Sequence, residues 1–241
     1  MKRVVLKFER TIQSLKPKVC FLHIGKTGGL NIASHFSYID ERGTKNHFRL
    51  IRRLLLPKHF VYISHSGVPK AFRKDKNLIF IIRNPIDRFV SAFYYLVHNE
   101  AKRSQADLNQ VEKDIIANFS DVNDFIATMK DDSHPHHSLT KQAFSDQGYI
   151  HYRMDYKFYF GSVDLVNQRL KDILLIGEQE NYGRFIDGVN QIFGTKINPT
   201  QRTNKTIKKG VPIAPIHEEW LRQFLTDDYE IYETLRNHVV Q

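Results

Sequence analysis

The 241-residue sequence has few of the features that define several large classes of protein. Its single cysteine, Cys20, excludes an internal disulfide and fits a reducing compartment. No apolar run approaches the ~18 residues of a membrane-spanning helix, and the N-terminal segment lacks the apolar stretch of a signal peptide. Internal repeats and glycine/serine linkers are also missing. We therefore expect one domain over residues 1–241 in a cytoplasmic protein, in solution or at a membrane surface.

Acidic residues are also scarce relative to basic ones. The chain has 36 Lys and Arg against 26 Asp and Glu, for a formal net charge of +10. Much of the excess lies in residues 2–18 and 47–58. A positive field concentrates anionic partners such as nucleotides, polyanionic sugars, nucleic acid and anionic membranes. A solvated basic surface with no specific partner is the alternative interpretation of each stretch.

Four short apolar runs predict β-strands. They are rich in β-branched and aromatic residues, and they lie at residues 19–24, 60–64, 78–83 and 174–178. The third run is apolar almost throughout, as in strands that are buried on both faces of a parallel sheet. Strands that alternate with helical segments predict a doubly wound α/β fold with a central parallel sheet.

The helices between these strands carry recognisable end signals. Asn84 suits an N-cap, Pro85 suits the first helical position, and an apolar stripe with helical spacing follows them. Asp121 is a second predicted cap. Further helices are predicted within about 107–130, after the fourth strand as far as Gly194, and from about 215 onwards, with a polar, basic loop at 195–213.

The segment Gly25-Lys26-Thr27-Gly28-Gly29 follows the first predicted strand and precedes a predicted helix. Glycines let main-chain N–H groups approach an anion, a helix N-terminus adds partial positive charge, and Lys26 adds a full charge. The segment is not a Walker A loop, which would require glycine where Cys20 stands. It predicts a phosphate-binding loop, with a tight turn carrying an exposed lysine as the alternative.

A second group of polar residues surrounds the start of the helix at Pro85. Arg83 ends the third predicted strand, and Arg88 and Ser91 share one face of the helix because they are three residues apart. Ligands of parallel sheets gather at the carboxyl ends of the strands, so we expect Arg83 to face the same crevice as Lys26. Two separate anion sites suit a ligand with two phosphate-like groups. A capped helix with surface arginines is the alternative.

Taken together, these two segments resemble the donor-binding motifs of sulfotransferases that use 3'-phosphoadenylyl sulfate (PAPS). VCFLHIGKTGGLNI resembles the loop for the 5'-phosphosulfate, and LIFIIRNPIDRFVSAFYYL resembles the motif for the 3'-phosphate. The match is closest to the carbohydrate branch related to heparan sulfate 2-O- and chondroitin sulfotransferases. Weaker similarities to the family's later segments occur in ILLIGEQENYGRFIDGVNQIFG, in RTNKT and in DDYEIYETL. The resemblance implies a P-loop-like, three-layer fold.

The resemblance also implies roles for individual residues. Lys26 and the main chain from Thr27 to Asn31 would hold the 5'-phosphosulfate, Arg83 and Ser91 would hold the 3'-phosphate, and no metal is expected. Lys205, with Lys208 and Lys209, lies in a loop that would close over the nucleotide, or is simply solvated. This chain departs from the common pattern at four positions: Gly25 replaces proline, Leu30 replaces a hydroxyl residue, Asn31 replaces serine and Asn84 replaces aspartate. The residues implied to contact the donor are Lys26, Thr27, Gly28, Gly29, Leu30, Asn31, Arg83, Ser91 and Lys205.

His65 follows the second predicted strand, where the resemblance places a catalytic base. A hydroxyl acceptor needs a base as it attacks sulfur, and neutral imidazole has a suitable pKa near 6.5. The family motif often has a second histidine two positions earlier, where this chain has Ile63. A structural histidine bonded to the main chain is the alternative.

The other histidines are predicted to have lesser roles. His134, His136 and His137 surround Pro135 and predict a surface loop, since no cysteine accompanies them as a metal ligand. His23 lies in the first predicted strand, where it is expected to be packed or to orient an anion.

These observations predict a transferase that moves a sulfuryl group from PAPS to a hydroxyl of a carbohydrate or glycan. In this mechanism His65 takes the acceptor proton and Lys26 stabilises the leaving phosphate. The acceptor class includes acidic and lipid-linked sugars, and a nucleic-acid partner is not expected. The alternatives are a P-loop phosphotransferase, which would need a Walker A loop and Mg²⁺ ligands, and a non-catalytic binder of polyanions.

Overall fold

The computed structural model of the protein describes residues 18–29, 32, 60–98, 107–198 and 211–239. In chain order its strands are β1 (Val19–Leu22), β2 (Phe60–Ile63), β3 (Leu78–Ile82) and β4 (Ile173–Glu178). Its helices are α1 (Val68–Lys74), α2 (Pro85–His98), α3 (Gln110–Asn118), α4 (Val122–Lys130), α5 (His137–Gln142), α6 (Ile150–Arg153), α7 (Tyr156–Phe160), α8 (Val163–Arg169), α9 (Tyr182–Phe193), α10 (Pro215–Phe224) and α11 (Thr226–Arg236).

The four strands form one parallel sheet in the order β2-β1-β3-β4, as the apolar runs predict. The first three strands are slightly shorter than the runs, and β4 begins one residue earlier than its run. β3, for example, ends at Ile82, because the N–H of Arg83 donates to the hydroxyl of Tyr156 (2.8 Å) instead of to a neighbouring strand. Parallel pairing places the carboxyl ends of β1 and β2 side by side, with Leu22 paired to Ile63. The residues that follow these two strands therefore start from the same edge of the sheet.

The sheet is covered on both faces, which explains why β1 and β3 are buried along their whole length. Alternate residues of β1 and β3, Phe21 and Ile79 among them, pack with α9 in one apolar cluster. On the opposite face of the sheet, Phe80 of β3 contacts Phe160, which also packs edge to face against Phe72 of α1. This two-sided packing is the α/β arrangement expected from alternating strands and helices.

The predicted helix ends are confirmed. Asn84 accepts a hydrogen bond from the N–H of Ile86 (3.0 Å), Asp121 accepts one from Asn123 (2.9 Å), and Gly194 ends α9 in the left-handed conformation. The C-terminal segment forms α10 and α11, as predicted from about residue 215. The short helices α5 to α8 were not predicted, because none is long enough to show a clear apolar period.

Two compact units can be distinguished in the chain. The first comprises Met1–Ile82, Tyr159–Asn204 and Thr234–Gln241, and it contains the sheet. The second comprises Arg83–Phe158 and Lys205–Glu233. Its interior is an aromatic stack in which Phe89 lies 4.8 Å from Tyr152 and Phe93 lies 5.4 Å from Phe125, centroid to centroid. The single domain expected from the sequence stays a prediction.

Candidate functional site

The predicted phosphate loop forms a turn over residues 25–29, directly after β1 and two linking residues. The N–H of Gly25 donates to the hydroxyl of Tyr159 (3.1 Å), and the hydroxyl of Thr27 donates to the carbonyl of Ile24 (3.0 Å). Thr27 is buried, with its hydroxyl used inside the turn. The anion binding by main-chain N–H groups of this turn stays a prediction.

Lys26 adopts a conformation that is unusual for a residue with a side chain. Its φ angle is 67°, in the left-handed region, which costs a non-glycine residue about 1–2 kcal/mol. Backbone strain of this kind concentrates at ligand-binding and catalytic positions. Lys26 is partly exposed.

The two glycines that follow are required for different reasons. Gly28 has a φ of 89°, which favours glycine, and it is exposed. At Gly29 an added Cβ would lie 2.9 Å from Cδ2 of His23 and 3.1 Å from Cζ of Phe21. The loop can therefore pack directly on the side chains of the strand segment that precedes it only because residue 29 is glycine.

His65 begins a short 3₁₀ turn after β2 and lies beside the loop. Its Nδ1 is 3.3 Å from the hydroxyl oxygen of Tyr159, the same oxygen that accepts the N–H of Gly25. Its ring centroid lies 4.3 Å from that of His23. The structure thus brings the predicted base and the predicted loop together within the first unit, and His65 is partly exposed, as a base that meets a substrate must be.

His23 is a buried, neutral neighbour of that base. Its pKa is lowered to about 3, mainly by burial and to a smaller extent by the charges of His65 and Lys26. Its Nδ1 is hydrogen-bonded to the hydroxyl of Tyr62, which lies on β2. A neutral ring at this place adds no charge repulsion when His65 takes up a proton.

The second predicted anion site is built around Arg83 and Asn84, which follow β3. Tyr156 holds the main chain of Arg83, and Asn84 accepts hydrogen bonds from the first turn of α2 and from the hydroxyl of Tyr229 (3.0 Å). Ser91 is half-buried in α2. These contacts fix the backbone from which the Arg83 side chain extends.

Arg88 differs from the surface arginine that the sequence allows. It is 4% exposed, and its guanidinium donates to the carbonyl oxygens of His151 (3.2 Å) and Met154, above the ring of Tyr156 (5.6 Å). These bonds satisfy the carbonyls at the turn around α6, and the charge of Arg88 also lowers the pKa of Asp228. Arg88 therefore has a structural role in the second unit.

The histidine-rich segment is only partly the surface loop expected. His134 and His136 lie in a turn, but His137 is 8% exposed and begins α5. Its Nδ1 bonds the carbonyl of Thr128 (3.1 Å) and its Nε2 lies 2.8 Å from Asp132. His137 is buried because it ties α5 to the end of α4. Within the described ranges, no group of three or more His, Cys, Asp or Glu side chains is placed to hold a metal ion.

Several predicted residues lie outside the described ranges. These are Leu30 and Asn31 of the loop, Lys205, Lys208 and Lys209 of the basic segment, and nearly all of the basic stretches 2–18 and 47–58. Of the helix predicted after the loop, Ile32 is described, and it is helical and buried. None of the helices in the described ranges is long and apolar enough to cross a membrane.

Three tyrosines around the two sites were missed in the sequence. Tyr159 and Tyr156 lie in YKFYF, which looks like ordinary core because both side chains are buried aromatics. Tyr62 could have been found, because parallel pairing sets it beside Phe21, two residues before His23. For the other two no local signal exists, since their partners are 94, 134 and 73 residues away.

Comparison with known proteins identifies the family. No curated protein and no solved structure matches the chain significantly. A sequence profile of the sulfotransferase family matches residues 9–233, which include every strand described above. The parallel sheet with helices on both faces agrees with the P-loop-like fold of that family. The chain therefore belongs to the sulfotransferase family.

Proposed function

We propose that this protein transfers a sulfuryl group from PAPS to a hydroxyl of a carbohydrate or glycan, with His65 as the general base. The observation that carries the proposal is the juxtaposition of His65 with the loop that begins at Gly25. Both contact the hydroxyl of Tyr159, at 3.3 Å and 3.1 Å. A base next to an anion-binding loop is the arrangement that group transfer to a hydroxyl requires.

The donor would bind through the two motifs that resemble those of PAPS-dependent enzymes. Lys26 and the main chain of residues 27–31 bind the 5'-phosphosulfate, while Arg83 and Ser91 bind the 3'-phosphate and Lys205 adds a charge near the nucleotide. The turn geometry at 25–29 and the fixed main chain of Arg83 support these roles. The remaining support is the resemblance of the two motifs to those of PAPS-dependent enzymes.

The reaction then proceeds without a covalent enzyme intermediate. The acceptor oxygen attacks sulfur, and its proton passes to the imidazole of His65 as the new S–O bond forms. The bond between sulfur and the 5'-phosphate oxygen breaks in line, and adenosine 3',5'-bisphosphate (PAP) leaves. Lys26 and the loop N–H groups stabilise the negative charge on the departing phosphate oxygen.

The carbohydrate acceptor is proposed from the sequence pattern around His65. The motif after β2 resembles that of the 2-O-sulfotransferase branch, in which a second histidine often stands two residues earlier. Here that position is Ile63, and the histidine beside His65 is supplied by His23, which follows β1. The positive net charge favours acidic glycans among the candidate acceptors.

Thermal unfolding with nucleotides tests the donor assignment before any acceptor is known. A ligand that binds only the folded state raises Tm, by an amount that grows with its affinity. PAP should raise Tm clearly, and AMP and ATP should do much less, because both lack the 3'-phosphate and ATP also carries a triphosphate at the 5' position, where PAP has a single phosphate. Equal shifts from PAP and ATP would favour a nucleotide phosphotransferase instead, and no shift from PAP at millimolar concentration would contradict the proposal.

A further inference from the structure

One hydroxyl oxygen connects the proposed base with the donor loop. Tyr159 is 1% exposed, and its Oη lies 3.1 Å from the N of Gly25 and 3.3 Å from Nδ1 of His65. Its ring also packs against Phe160 at 6.4 Å and against His65 at 6.4 Å, centroid to centroid. A buried phenol in these contacts has little freedom to move, so it sets the separation of the two groups that it touches.

The hydrogen bonds at this oxygen determine which nitrogen of His65 carries its proton. The N–H of Gly25 can only donate, so Tyr159 accepts there. At His65 two arrangements exist. If Tyr159 donates to Nδ1, the neutral imidazole carries its proton on Nε2 and offers no lone pair to a substrate. If Nδ1–H donates to Tyr159, the lone pair of Nε2 is available to take a proton, and the phenolic hydrogen of Tyr159 points to neither Gly25 nor His65.

We propose that Tyr159 is a positioning residue that accepts hydrogen bonds from both Gly25 and Nδ1–H of His65, and so holds the base in its reactive tautomer at a fixed distance from the donor loop. This inference rests on the proposed function, because only a base requires that tautomer. The neighbouring ring of His23 suits the arrangement, since burial keeps it neutral and it does not oppose a positive charge on His65.

The hydrogen bonds of Tyr159 would also fix the distance between His65 and the donor loop. In-line transfer needs the reacting atoms within about 3–3.5 Å of one another, and small displacements reduce the rate strongly. His65 follows β2 and Gly25 follows β1, so they belong to different connections of the sheet. Tyr159, which belongs to neither connection, joins them through one oxygen atom.

Nitrogen-15 NMR of the histidine side chains tests the tautomer without an acceptor substrate. The parent is compared with Tyr159→Phe, which removes only the hydroxyl, and with Tyr152→Phe as a matched control. Tyr152 is also buried, and its hydroxyl has no hydrogen-bond partner among the described residues. The chain has twelve histidines, so the His65 signals are assigned by their loss in His65→Ala.

We expect the neutral ring of His65 to be protonated at Nδ1 in the parent and in Tyr152→Phe, and to shift toward the Nε2–H form in Tyr159→Phe. Once an acceptor substrate is identified, Tyr159→Phe should lower kcat about tenfold, which is the effect of one lost hydrogen bond. Tyr152→Phe should leave kcat unchanged. An Nε2–H ring in the parent, or a tautomer unchanged by Tyr159→Phe, overturns the inference. The parent spectrum alone decides this even if the variant folds poorly.

The nucleotide experiment separates this inference from the proposed function. If PAP raises Tm but His65 is found as the Nε2–H tautomer, the donor assignment stands and the role of Tyr159 is wrong. If His65 is protonated at Nδ1 but PAP does not bind, the hydrogen bond is real and the sulfotransferase mechanism built on it fails.

Discussion

Tyr156 holds the main chain of Arg83 on both sides. The N–H of Arg83 donates to the Tyr156 hydroxyl at 2.8 Å, and that hydroxyl donates to the Arg83 carbonyl at 2.6 Å. Tyr156 is fully buried, and its own N–H donates to Asp228 at 2.8 Å. The residue proposed to bind the 3'-phosphate therefore starts from a backbone position that is fixed before any ligand arrives, which reduces the entropic cost of binding.

Replacing Arg83 by alanine should weaken PAP binding by about 1.5–3 kcal/mol, the range for a hydrogen bond to a charged group. The variant should also distinguish PAP from AMP less well than the parent does. Titration calorimetry with both nucleotides measures this. The matched control is Arg73→Ala, which removes the same charge from an exposed position of α1. If both variants lose the same affinity, only the general positive field is involved.

The fold could be predicted from the sequence where local signals are strong. The four strands, the Asn84 cap and the Gly194 helix end depend on residues close in sequence, and all are confirmed. The placement of His65 beside the loop at Gly25 also follows, because parallel strands bring their carboxyl ends together.

The features that could not be predicted from the sequence depend on contacts between residues that are far apart in the chain. Tyr159 reaches Gly25 across 134 positions, and nothing in YKFYF marks it as different from a core aromatic. Arg88 has the spacing of a ligand-binding residue, but burial against the carbonyls of His151 and Met154 gives it a structural role. Such contacts arise from packing, which composition and periodicity do not encode.

Gly29 and Gly183 should respond in opposite directions to alanine. A Cβ at Gly29 would lie 2.9 Å from the buried ring of His23, so Gly29→Ala should destabilise the protein by about 1–3 kcal/mol. At Gly183, in the first turn of α9, no heavy atom beyond its chain neighbours and the helix backbone lies within 4 Å of the added Cβ among the described residues. Gly183→Ala should be neutral or stabilise by up to about 1 kcal/mol. Urea unfolding of both variants checks this, and a neutral Gly29→Ala would contradict the close packing of loop and strand.

Asp228 should make stability depend on pH in a defined direction. Burial raises its pKa from 3.8 to about 6, with Arg88 lowering it and Asp155 raising it by smaller amounts. The folded state therefore binds more protons than the unfolded state between those values, and this contribution to stability is present at low pH and is lost as pH rises through about 6. Asp228→Asn keeps an oxygen for the N–H of Tyr156 and does not ionise.

The variant should accordingly gain about 1–3 kcal/mol relative to the parent between pH 4 and pH 7. The neutral, buried His23 acts in the opposite direction over the same range, but it is common to both proteins and cancels in the difference. Asp227→Asn is the control, because Asp227 is exposed and pairs with Lys157. Unfolding free energies from urea titrations at several pH values give the result. A parent and an Asp228→Asn variant with parallel pH profiles would show that Asp228 ionises normally.

Replacing His65 and Lys26 by alanine should produce different kinetic patterns. A general base contributes about 10²–10⁴-fold to rate, so His65→Ala should lose most turnover and keep nearly parental PAP affinity. Lys26→Ala should reduce both, because one charge binds the donor and stabilises the leaving group. The comparison requires an acceptor that the parent sulfates, found by screening glycans with labelled PAPS, and PAP affinities from calorimetry. If His65→Ala keeps near-parental turnover at saturating donor and acceptor, the base is another group and the juxtaposition of His65 with the loop is structural.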